Sequence, residues 1–165
     1  MYKRFLKAAA ADADAATISL MENIHSNPGT WHYLVARDEV TFERISKVVR
    51  DVLERLESRL TGLASRNAPV SFYAGLGARR HREGIALEQV AGVILLIRGE
   101  FLERFPALMA AHGSCPEAER SLVSHYLHMI FAGIFQSIIA GYTQKQEASP
   151  YRGARDHLLR KAMKI

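Results

Sequence analysis

The chain reads as an all-α protein, a single bundle of five to seven helices. Apolar residues recur at three- and four-residue steps over long stretches, and turn-forming residues at 26–29, 67–69, 84 and 113–116 separate those stretches. No segment shows the alternate-residue pattern of a half-buried strand. At 165 residues the chain suits one domain over 1–165, with a core from about 9 to 146 and a basic helix over 150–164.

The first helix is expected from 2 to about 25. It is alanine-rich, and Ser26-Asn27-Pro28-Gly29 stops it. Residues 31–36 suit a short helical turn. The clearest amphipathic pattern runs from 38 to about 63. Val40, Phe42, Ile45, Val49, Val52, Leu53, Leu56, Leu60 and Leu63 form its stripe, and charged residues fill the other face. Glu43–Lys47 and Asp51–Arg55 are spaced to pair one turn apart.

A short helix over 70–83 follows, ended by Gly84. The next helix spans 87 to about 112. It is apolar nearly all round over 90–97, which predicts a central place in the core, and Pro106 should kink or split it. The last long helix runs to about 146, with Ser114 as a candidate cap. Its stripe includes Leu122, Tyr126, Met129, Ile130, Phe131, Ile134, Phe135, Ile138 and Ile139.

Hydrophobic residues make up 48% of the chain and charged residues 24%, the balance of an ordinary globular protein. Cys115 is the one cysteine, so no internal disulfide forms and a reducing compartment is expected. No secretory signal opens the chain, and the apolar runs 90–97 and 129–140 fall short of the roughly 20 residues that span a bilayer. The expected location is the cytoplasm, with no membrane span.

The net charge of +5 raises the question of nucleic acid. Arg79, Arg80 and Arg82 form one basic patch; Arg152, Arg155, Arg160, Lys161 and Lys164 form another. No helix-turn-helix spacing or aromatic stacking platform accompanies them, so they read as solvated faces.

Phosphate-binding loops, dinucleotide-binding glycines, paired-cysteine motifs, zinc-protease motifs and nucleophile elbows are all missing, so no enzyme is expected. His125 and His128 share a helix face, but a metal there would need a third ligand such as Glu100 or Glu103, and no metal site is assigned. Cys115 beside Pro116 reads as incidental. Arg98 directly follows the apolar run, where a guanidinium must be paired or line a polar pocket. Glu54, Glu57 or Glu88 would be its structural partner; otherwise it anchors an anion. A small-anion or fatty-acid ligand held in a cavity between the second, fourth and fifth long segments gives Arg98, His125 and Tyr126 as ligand-binding candidates.

The residues Leu76-Gly77, Arg79-Arg80-His81 and Gly84-Ile85-Ala86-Leu87-Glu88, with Leu95-Leu96 and Arg98 beyond them, resemble the N-terminal domain of RsbT co-antagonist proteins. The upstream stripe Ile45, Val49, Leu53, Leu56 and Leu60 fits the same layout, and the resemblance covers about 9–141. It implies a globin-like sensory domain without haem that dimerises through its long helices and signals to a downstream protein. The same stretch is similar to the proximal side of globin-type sensors. That likeness implies His81 as an axial haem ligand, with Leu76, Ile85 and Val90 nearby. The glycine stands one residue closer to His81 than the sensor pattern has it. No cofactor is therefore expected, with His81 the candidate if haem is bound.

Overall fold

The structure, a computed structural model, describes residues 2–30, 38–62, 70–112 and 116–147. Six helices make up these residues: α1 (Tyr2–Ala11), α2 (Ala13–Ser26), α3 (Asp38–Thr61), α4 (Val70–Arg82), α5 (Leu87–His112) and α6 (Glu117–Glu147). No strand occurs among the described residues. The fold is an all-α bundle.

The expected first helix is two helices. Asp12 separates them, and its carboxylate accepts a 2.8 Å hydrogen bond from Arg104 Nη1 on α5. No proline or glycine marks that break, so periodicity alone runs straight through it. Both pieces enter the core: Phe5, Leu6 and Ala9 from α1, Leu20 and Ile24 from α2. Phe5 stands edge-on to Phe105 of α5, with ring centroids 5.9 Å apart.

Helix α3 crosses between α1, α2 and α6. Ile45, Val49, Val52, Leu53 and Leu56 of its predicted stripe are buried, whereas Phe42 and Leu60 are half-buried and Val40 is exposed. Thr41, Ser46 and Asp51 are buried as well, so the inner face is broader and more polar than the apolar stripe. The Asp51–Arg55 pair forms at 2.6 Å. Glu43 and Lys47 do not pair; Lys47 Nζ instead stands 4.5 Å from the centroid of the Phe72 ring on α4.

Helix α5 matches its expected range and is central. Val90, Val93, Ile94, Ile97, Phe101, Phe105 and Met109 are all buried. Pro106 does not split it: the helix continues to His112, with the proline ring exposed. Residues 31–36, Leu63, Ser114, Cys115 and the basic segment 150–164 lie outside the described residues.

Helices α4 and α6 meet at backbone distance. A methyl group built on Gly77 would lie 2.1 Å from the Ile138 carbonyl oxygen, and one built on Gly141 would lie 1.8 Å from that of Ala74. Only residues lacking a Cβ permit this crossing. By length and mean hydropathy (1.4), the stretch Glu117–Thr143 would reach across a bilayer. Its inner face, with Val123, Leu127, Ile130, Phe131, Ile134 and Ile138, is part of the core.

Candidate functional site

The polar groups of this bundle concentrate along α4. At its C-terminal end the amide of Gly84 donates to the carbonyl of His81 (3.1 Å) and that of Ile85 to the carbonyl of Arg80 (3.1 Å). This is a Schellman cap, and Gly84 takes the left-handed conformation it requires (φ 73°).

Just before the cap, Arg80 is 1% exposed. Its guanidinium pairs with Glu83, whose other oxygen lies 3.7 Å from Arg44 on α3. The basic patch expected from Arg79, Arg80 and Arg82 is therefore not a patch: Arg79 and Arg82 face solvent and Arg80 points inward. Burying a guanidinium beside a carboxylate is tolerable where leaving it alone is not.

Two turns earlier, the Tyr73 hydroxyl donates to Asp51 on α3, and Arg55 Nε donates to the same carboxylate oxygen at 2.6 Å. Asp51 is 7% exposed and Tyr73 nearly fully buried. Burial first, and then the adjacent Asp51 carboxylate, push the Tyr73 phenol well above its ordinary value of 10.0. The raised group stabilises the fold fully below its unfolded value. Above about pH 10 the unfolded phenol ionises while the folded one does not, so stability falls as pH rises. Tyr73→Phe should remove that alkaline slope relative to the wild type. At neutral pH it should cost about 1–3 kcal/mol, because Asp51 loses a partner. Denaturant titrations between pH 7 and 11 measure both effects.

His81 is half-buried, and its ring packs edge-on against Tyr142 of α6, with centroids 4.8 Å apart. The Tyr142 hydroxyl donates to the carbonyl of Ile85 (2.9 Å) and so ties α6 to the turn. A haem on this face of His81 would need a slot between α4 and α6. Tyr142 fills that position, and the two backbones touch one turn away at Gly77 and Gly141.

Arg98 lies half-buried at a groove of about 480 Å³ between α5 and α6. Ile94, Leu95, Phe131, Ala132 and Phe135 form its apolar lining, and His128 and Gln136 add polar groups. No described carboxylate pairs with Arg98, so the partners expected in Glu54, Glu57 or Glu88 are not engaged. His128, not His125, joins the groove. Its Nδ1 lies 2.7 Å from the Ser124 carbonyl oxygen, which fixes the proton on Nδ1 and leaves Nε2 as the remaining nitrogen. His125 and Tyr126 touch each other (centroids 5.9 Å); His125 is exposed and Tyr126 is half-buried against the core. No cluster of three potential metal-binding side chains occurs among the described residues.

Helical spacing carried part of the missed chemistry. Tyr73, Leu76, Gly77 and Arg80 fall at steps of three, four and seven, so they share one face of α4, and that face is buried. Arginine's charge, rather than its register, suggests an exposed patch.

Comparison with curated proteins gives no match, and neither does comparison with solved structures. The family described as the RsbT co-antagonist protein rsbRD N-terminal domain matches residues 24–156, from the last turn of α2 to beyond the end of α6. The chain belongs to this family and is a regulatory domain of stress signalling.

Proposed function

We propose that this domain is a non-catalytic, cytoplasmic sensor that dimerises through the outer face of α6 and relays a ligand or partner signal to a downstream protein. The outer stripe of α6 carries the reading. Leu122, His125, Met129, Ala132, Gly133, Gln136 and Ala140 are exposed and recur at helical steps on one face. Leu122 is 38% exposed and Met129 49%, and Leu95 on the adjoining α5 is 54% exposed. Between Arg120 and Lys145 the sequence has no Asp, Glu, Lys or Arg.

An apolar stripe about 28 Å long at 1.5 Å per residue is unusual on a face left to water. In a two-fold dimer a helix face meets its own copy, so any charge near the axis meets its like; this stripe has no Asp, Glu, Lys or Arg. Gly133 adds room, because a methyl group there would meet nothing within 4 Å inside the monomer.

Met129→Lys tests this directly. It sets two like charges against each other across the seam while touching no buried group. The dimer dissociation constant, from light scattering over a concentration series, should rise about tenfold or more. Helical content by circular dichroism should be unchanged. An unaltered dimer would overturn the assignment of the face.

A further inference from the structure

We infer that the groove at Arg98 binds a monocarboxylate with an apolar body, and that filling it favours the dimer; the second half rests on the dimer proposed above. The inference starts from how this protein treats its arginines. Among the described residues, the arginines that are not exposed are Arg44, Arg55, Arg80, Arg98 and Arg104. Arg44 and Arg80 meet Glu83, Arg55 meets Asp51, and Arg104 meets Asp12 and Glu100. Arg98 alone among these meets no carboxylate of the described residues. Nearby Glu100 is engaged by Arg104. A half-buried guanidinium left without a counterion is an unmet electrostatic demand.

The lining names the class of ligand. A guanidinium fork matches a carboxylate with two parallel hydrogen bonds. Gln136 supplies a further donor. Phe131, Phe135, Ile94 and Leu95 suit an aromatic or short aliphatic body. One fixed cation among apolar walls balances a single negative charge and gives a dianion such as phosphate little to pair with. At about 480 Å³ the groove lies within the size range of small-molecule sites.

The link to the dimer is geometric. His128 and Ala132 line the groove and flank Met129 and Gly133 of the outer stripe, so a second copy laid on α6 covers the groove's edge. Covering Arg98 without a counterion opposes association; a bound carboxylate removes that penalty. The coupling is reciprocal, so the dimer binds the carboxylate more tightly than the monomer does.

The experiment titrates the full chain with benzoate and hexanoate against benzamide and hexanamide at constant ionic strength, by calorimetry. Sedimentation equilibrium is run in parallel with and without benzoate. The carboxylates should bind and the amides should not. Arg98→Gln should weaken benzoate binding about tenfold or more, and Arg98→Lys should restore part of it, with circular dichroism confirming that both variants fold. Benzoate should tighten the wild-type dimer about fivefold or more. Equal benzoate binding by wild type and Arg98→Gln overturns the site, as does equal binding of amides and carboxylates. Arg98-dependent binding with an unchanged dimer constant overturns the coupling. Arg98-dependent binding by a chain that stays monomeric supports the site and overturns the dimer reading.

Discussion

Gly77→Ala and Gly141→Ala are expected to be the most damaging single-methyl changes in this chain. Each should cost about 3 kcal/mol or more, the upper end of the range for overpacking. The new methyl groups would fall 2.1 Å and 1.8 Å from backbone carbonyl oxygens of the facing helix. No rotamer relieves such a clash, so α4 and α6 must separate, and the His81–Tyr142 contact and the Tyr142 hydrogen bond to Ile85 would loosen with them. Gly75 supplies the control. It lies on the exposed side of the same helix, with nothing within 4 Å of a methyl group. Gly75→Ala should therefore stabilise the protein by about 0.5–1 kcal/mol through helix propensity and a less flexible unfolded chain. Opposite signs at positions two residues apart in one helix would not follow from propensity alone. Thermal and chemical unfolding of the three variants measure this.

Asp51→Ala is the second large effect, at about 3 kcal/mol or more. The substitution leaves the buried Tyr73 hydroxyl without its acceptor and removes the carboxylate that holds Arg55. Arg55 stands 5.4 Å from the Tyr73 ring centroid, so its charge stays near a low-dielectric site without the Asp51 carboxylate. Arg50→Ala offers the contrast. Arg50 is the neighbour of Asp51 on α3, but its 3.0 Å pair with Asp14 of α2 sits in water, with both side chains more than 60% exposed. That change should cost less than about 1 kcal/mol. Charge pairs in this bundle thus differ in weight because burial differs, not because their distances do. The Tyr73–Asp51 hydrogen bond and the Glu83–Arg44 pair link α4 and its cap to α3, while the glycines seat it against α6.

The helix pattern was legible wherever an apolar stripe and a stop residue coincided. Leu87–His112 and the Gly84 turn are cases of this, since a period of 3.6 and a left-handed glycine are both local properties. The break at Asp12 was not legible, because no proline or glycine marks it; Asp12 there meets Arg104 from a distant part of the chain. The same division holds for the polar groups. Arg98 drew notice as a charge beside an apolar run, and it does lie half-buried in a groove. The Asp51–Arg55 pair is legible as a spacing of four within α3, whereas the Tyr73 hydrogen bond to Asp51 is not, because it joins two helices. At Arg80 residue type set expectation against register, and register prevailed. The outer stripe of α6 was read as one apolar set with the inner one. Only the packing separates the residues that build the core from Leu122 and Met129, which do not.

The use of the α6 face is most directly tested by an inter-copy distance. Spin labels are placed singly, in a Cys115→Ser background, at position 125 on the α6 stripe and at position 7 on α1, whose packing partners are α2, α3 and α5. Pulsed dipolar spectroscopy then reads the separation of the two copies. The expected result is a well-defined distance at position 125 that is clearly shorter than at position 7, and that disappears in Met129→Lys. No dipolar coupling at either position, or a shorter distance at position 7, would contradict the account.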